Sequence, residues 1–205
     1  MTETSPSTMA LPWPLPMLKR RSVEESPFRY ATFLDCLRSE LGDELLAWLE
    51  TDAPWRLTRT DFYEQYEFSC WDSRSCLASF LTSREVLELV RAEMGDIFDR
   101  AFEDGIDVVC HRLLPPQKIG IHNDHLLGQE THRLTIQINR GLASSDGGVL
   151  MLFNSDDAVD IHRLLRPVSL SGFAFEISAY SHHAVSQMHG GERFTLIYSL
   201  RAATD

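Results

Sequence analysis

Cysteine is scarce in this sequence, and basic residues are outnumbered by acidic ones. The four cysteines, Cys36, Cys70, Cys76 and Cys110, form no C-x-x-C pair. That argues against a zinc ribbon and against a disulfide framework, and leaves reduced, mostly buried thiols as the expectation. Nineteen Lys and Arg stand against 30 Asp and Glu, a net charge of −11. Such a balance repels a phosphate backbone and an anionic membrane surface alike, so no nucleic acid and no membrane is expected as a partner. No apolar run approaches the roughly 18 residues of a membrane span. The N-terminal apolar patch has no basic residue ahead of it and is broken by Pro12, Pro14 and Pro16, unlike a secretory signal. A cytoplasmic location is the expectation.

What is present is enough for one domain with a proper core: 205 residues, 43% of them apolar. Residues 1–26 are rich in Ser, Thr and Pro without a period, which predicts a disordered or loosely attached arm ahead of a single domain spanning 27–205. From Tyr30 to Glu50, apolar residues recur at three- and four-residue steps, predicting an amphipathic helix, and a second helical zone is predicted from about Ser73 to Phe102. Gly42 and the polar residues near Thr82 are candidate interruptions of the two zones. Between the two, Trp55 to Trp71 alternates aromatic and polar residues, as extended structure does. After Gly105 the chain turns to short β-branched or aromatic runs: Ile106–Leu114, Lys118–His122, Leu134–Asn139, Val149–Phe153, Phe173–Ile177 and Arg193–Leu200. Helices followed by a run of strands is an α+β order, with helices against one face of a mostly antiparallel barrel or sandwich.

Two short motifs carry chemistry. In Ile121-His122-Asn123-Asp124, an imidazole and a carboxylate two residues apart at a strand end can reach the same metal ion. In His183 to Arg193 a histidine precedes an arginine by 193 − 183 = 10 residues, and a strand follows directly. Between them lie Arg133, Thr135, Gln137 and Asn139 on one face of a predicted strand, the turn Gly147-Gly148, and the aromatic strand Phe173-Ala174-Phe175. The polar face of the Leu134–Asn139 strand either lines the barrel or meets solvent.

Taken in order, these pieces resemble the prolyl-4-hydroxylase-like branch of the 2-oxoglutarate- and iron(II)-dependent oxygenases over about residues 105–201. The resemblance implies a double-stranded β-helix, the jelly-roll or cupin-like barrel, with the N-terminal helices packed against one sheet. It implies iron(II) held by His122, Asp124 and His183, and 2-oxoglutarate as co-substrate with its far carboxylate on Arg193. Thr195 adds a hydroxyl on the same strand face, and Gln137 stands where many relatives place a tyrosine. His182 competes with His183, but the step to Arg193 and the following Val185 favour His183. Dioxygen is the oxidant, with ascorbate as a supporting reductant. An intact Asp124 implies hydroxylation, desaturation or ring closure rather than halogenation, with release of succinate and carbon dioxide. Ser199 stands where the nucleic-acid-demethylating branch has a second arginine, so the substrate implied is an amino-acid, peptide or protein side chain. Two other readings stay open: a non-catalytic sensor that binds metal and 2-oxoglutarate, and a cupin-like metal enzyme that does not use 2-oxoglutarate.

Overall fold

The computed structural model describes residues 21–126 and 130–204. In chain order the elements are β1 (Arg21–Glu24), β2 (Tyr30–Phe33), α1 (Ser39–Thr51), β3 (Arg56–Arg59), β4 (Glu64–Ser69), α2 (Cys76–Leu81), α3 (Arg84–Phe98), β5 (Asp107–Leu113), β6 (Ile119–His122), β7 (His132–Gln137), β8 (Leu150–Phe153), β9 (Ile161–Leu165), β10 (Gly172–Glu176), β11 (His183–Val185) and β12 (Arg193–Leu200). Two antiparallel sheets result. One has eight strands in the order β1-β2-β10-β7-β12-β5-β4-β3, and the other four in the order β6-β11-β8-β9. Helices and mostly antiparallel sheets are both present, as an α+β class requires, but the expected order of helices first and strands after is corrected: β1 and β2 precede α1, and β3 and β4 lie between α1 and α2. Gly42 does not interrupt α1, which runs through it. Among the described residues no helix is long and apolar enough to cross a membrane.

The helices cover one face of the large sheet. Leu41, Leu45 and Leu49 of α1 and Val86, Val90 and Met94 of α3 pack into one cluster with Leu134, Ile136, Leu196 and Tyr198 from β7 and β12. Each such side chain contributes about 1.5–3 kcal/mol on leaving water. The apolar residues of β7 therefore face the helices. Its polar residues, Arg133, Thr135 and Gln137, face the small sheet, where they line cavities. That decides between the two orientations open from the sequence.

The long helix expected from Tyr30 is corrected. Residues 30–33 form β2, paired with β1 on one side and β10 on the other, and the helix begins only at Ser39. Phe33 packs under the helices and Tyr30 packs with Phe173 and Phe175 on the other face. A strand buried on both faces is a continuous apolar run, and over four residues its period cannot be told from a helix. The second helical zone is broken as the polar residues near Thr82 suggest: Ser83 Oγ accepts from the Val86 amide and caps α3. The expected extended stretch from Trp55 to Trp71 contains β3 and β4. The short strands β9 and β11 were not expected. Residues 21–24 fall within the arm expected from the sequence, yet they pair with β2 as an edge strand; the arm's earlier part, Trp13 included, lies outside the described residues. Three of the cysteines are buried and Cys76 is exposed, and all four are free thiols.

Candidate metal centre

Register brings the two motifs together. His122, the last residue of β6, pairs directly with His183, the first of β11, so two histidines 61 positions apart (183 − 122) present their rings side by side, centroids 4.2 Å apart. Asp124 follows in a left-handed turn with φ 58°, a conformation that aspartate tolerates better than most residues. The turn is tied down by Asn123, whose Nδ2 donates to the Ala179 carbonyl (3.2 Å) and whose own carbonyl accepts from Ser181 Oγ (2.8 Å).

The tautomers follow from the hydrogen bonds. His122 Nδ1 lies 2.9 Å from the Gly120 carbonyl and His183 Nδ1 2.7 Å from the Ser181 carbonyl. A carbonyl only accepts, so both Nδ1 atoms carry the proton and both Nε2 atoms offer lone pairs. These face the carboxylate: His122 Nε2 is 3.4 Å from Asp124 Oδ1, and His183 Nε2 is 3.2 Å from Oδ2. All three donor groups lie within 4.8 Å of one another, an arrangement that can hold a metal ion. Ligand atoms about 3 Å apart suit a shared ion with bonds of about 2.1 Å, and two imidazoles with one carboxylate are the donor set of open-sided iron(II) sites. His182 lies outside this group, and His125 is exposed.

A second tier surrounds the carboxylate. Arg133 Nη1 donates to Asp124 Oδ2 at 2.6 Å, and its guanidinium also grips both oxygens of Glu130. Burial raises the Asp124 carboxyl, but its contacts with the two imidazoles and the Arg133 charge outweigh that and hold it well below the usual carboxylate range. Burial lowers the His183 imidazole, which favours the neutral ring that a metal requires. The sequence names Arg133 as a motif residue without this role. The alternation that puts it on the polar face of β7 is the signal that marks it.

The group lines a cavity of about 250 Å³ between the sheets, closed below by Arg193 and Thr195 and walled by Phe173, Phe175 and Val185. Arg193 is 5% exposed, its Nε is buried without a hydrogen-bond partner, and no ion pair with it occurs among the described residues. Desolvation alone pulls its guanidinium down to about 10. An unpaired buried cation is costly unless an anion joins it. Thr195 Oγ1 donates to Gln137 Oε1 (3.3 Å), which also accepts from Asn139 Nδ2 (3.4 Å). Gln137 lines a neighbouring cavity of about 490 Å³ that shares Arg193 as a wall. Gly148, with φ 68°, approaches so closely that a Cβ there would lie 2.6 Å from Met188 Sδ and 2.9 Å from Arg193 Cδ. The Gly-Gly turn thus also makes room for the arginine.

No family model matches this chain, and no curated protein matches it. Solved structures do. A prolyl-4-hydroxylase from Pseudomonas putida superposes with a TM-score of 0.70 at 20% identity, covering 85% of this chain and 93% of that one. A prolyl hydroxylase from Trichoplax adhaerens, solved with a hypoxia inducible factor oxygen degradation domain peptide fragment, has a TM-score of 0.66 at 12% identity, covering 84% and 83%. A 2OG-Fe(II) oxygenase family oxidoreductase from Burkholderia pseudomallei has a TM-score of 0.55 at 16% identity, covering 77% of each chain. The fold is therefore that of prolyl-4-hydroxylases and 2OG-Fe(II) oxygenases, in keeping with the resemblance read from the motifs.

Proposed function

We propose that this protein is an iron(II)- and 2-oxoglutarate-dependent dioxygenase that hydroxylates a C–H bond of an amino-acid, peptide or protein side chain, releasing succinate and carbon dioxide. One observation carries the reading: the partnerless guanidinium of Arg193 and the His122, Asp124 and His183 group line the same cavity. A three-ligand metal site alone fits many reactions. A buried cation at its floor adds the demand for an anionic co-substrate, and the fold shared with 2OG-Fe(II) oxygenases indicates which one.

On this reading the two sheets are the halves of a double-stranded β-helix. The Nε2 atoms of His122 and His183 and one oxygen of Asp124 would hold iron(II), a donor set that suits an open-sided site. When bound, the metal with dioxygen supplies the oxidising chemistry, and ascorbate keeps it reduced. The protein's own residues bind and orient. Arg193 grips the far carboxylate of 2-oxoglutarate through parallel charge-assisted hydrogen bonds. Thr195 Oγ1 stands beside it and donates to that carboxylate on turning its proton away from Gln137 Oε1. Gln137 takes a supporting place, since its Oε1 is already occupied and its Nε2 is the free donor. Arg133, tied to Glu130, keeps the Asp124 carboxylate turned toward both imidazoles. Phe173, Phe175 and Val185 exclude water from the floor.

The test is succinate formation from 2-oxoglutarate by purified protein given iron(II) and ascorbate in air. Turnover is expected in the wild type and not in Asp124→Ala. His183→Ala should also lose cobalt(II) binding, measured by its visible absorption, whereas His182→Ala keeps most of it. Cobalt(II) bound without any binding of 2-oxoglutarate would sink the co-substrate assignment and leave a metal site of another class.

A further inference from the structure

The cavity holds one more charged group that the proposed chemistry does not use. Glu67, on β4, lines it together with Gln65, His111, Phe62 and Tyr63. Its carboxylate is held by neutral donors only: Thr58 Oγ1 at 2.9 Å and Gln65 Nε2 at 2.9 Å. His111 Nε2 lies 3.7 Å away, but desolvation and the charges of Arg133 and Arg193 push that imidazole down to about 3, so it is neutral. Arg56 is its cross-strand neighbour, yet it is exposed and no ion pair within 4.0 Å joins the two. Among the described residues Glu67 is thus a carboxylate without a charged cation beside it.

A second observation points the same way. Gln65 is 2% exposed, and its Oε1 is buried with no hydrogen-bond partner. The amide's orientation is set by chemistry, because its nitrogen must face the accept-only carboxylate of Glu67. A buried acceptor left unsatisfied costs about 1–3 kcal/mol, so this corner lacks a donor. The Tyr63 hydroxyl, raised by burial and then by the nearby charges of Glu67 and Asp124, lies in the field of both. Glu67 and the metal-binding group line the same cavity. Phe62 packs on His122, ring centroids 5.1 Å apart, with part of its face in solvent at 44% exposure. A carboxylate without a counter-charge and an acceptor without a donor, beside aromatic faces, are the surroundings that hold an ammonium or guanidinium. Of the two arginines that line this cavity, Arg133 is matched by Asp124 and Glu130, and Arg193 makes no ion pair with Glu67 and is the group assigned above to the co-substrate.

We propose that Glu67 and Gln65, with the aromatic faces of Phe62 and Tyr63, form a subsite for the cationic end of a lysine- or arginine-like side chain whose C–H bond is then presented to the metal. This rests on the dioxygenase reading above and names the substrate class for that site. The chain's net charge of −11 favours encounter with a basic substrate.

The experiment is anaerobic calorimetry on the full chain loaded with cobalt(II) and 2-oxoglutarate. The probes are the N-acetyl N-methylamides of lysine, arginine and norleucine, which differ only in the side chain. At least one cationic probe is expected to bind ten-fold or more tightly than the norleucine probe, and the preference should fall to about one-fold in Glu67→Gln, which keeps the shape and removes the charge. Gln65→Leu, which removes the orphan acceptor together with one of the two donors that hold Glu67, should lower the preference several-fold and serves if Glu67→Gln does not fold. No cationic preference in the wild type overturns the proposal, as does a preference that survives both substitutions. Failure of the co-substrate reading is separately visible as no heat from 2-oxoglutarate in the wild type, and the same probes on the cobalt-loaded protein then still report on Glu67.

Discussion

Arg193 shows what one buried charge asks of a fold. Its side chain is buried at the cavity floor without a counter-charge, an arrangement that folding alone does not favour. Arg193→Met removes the buried charge while keeping much of the volume. In the absence of 2-oxoglutarate it should raise unfolding stability by about 1–3 kcal/mol, measured by urea denaturation. The same variant should lose measurable 2-oxoglutarate binding. Loss of stability instead would mean that the guanidinium already has a partner in solution. The spacing of Arg193 from His183 is legible in the sequence. Its isolation is not, because an ion pair depends on what other elements bring near.

At the scale of elements, the turn between β7 and β8 does more than reverse the chain. Gly147 has φ 80°, and a Cβ there would sit 1.9 Å from the Gln187 carbonyl oxygen. Backbone cannot yield as the end of a side chain can, and the left-handed conformation adds strain for any L residue. Gly147→Ala should therefore cost about 2–4 kcal/mol of stability and disturb the segment that leads into Arg193, seen as a lower thermal midpoint together with weaker 2-oxoglutarate binding. A neutral effect would show that the 187–188 segment moves freely. A Gly-Gly pair in sequence predicts a turn; the close approach of residues from beyond β11 is a tertiary fact. The strands β6 and β11 make the same point. His122 and His183 can be picked out by spacing, but their one-to-one register is what turns two candidates into one site.

At the scale of the whole molecule, burial of neutral histidines ties stability to pH. His132 is 2% exposed and packed edge-on between Phe98 and Phe102; desolvation, with the charges of Arg100 and Arg29, lowers it to about 4. Its folded value lies below its unfolded value of about 6.5. The unfolded chain therefore binds the proton first, and stability present above about pH 6.5 is lost as the pH falls toward 4. Between pH 7.5 and 5 the unfolding free energy should drop by about 2 kcal/mol from this residue, and His132→Phe should flatten that part of the profile. An unchanged profile in the variant would place the titrating group elsewhere. His111, lowered to about 3 by burial first and then by the two arginines, acts in the same direction. The sequence by itself determined the mix of helix and strand, the strand-rich second half and the residues that meet at the centre, because periodicity and short-range spacing express which side chains must share a face or a strand end. Only the tertiary structure decided that Tyr30–Phe33 is a strand, that the polar face of β7 turns inward, that Arg133 clamps Asp124, and that Glu67 and Gln65 lie in the same cavity. Each of these depends on which distant strand becomes the neighbour, and pairing between strands far apart in the chain leaves no period in the local sequence.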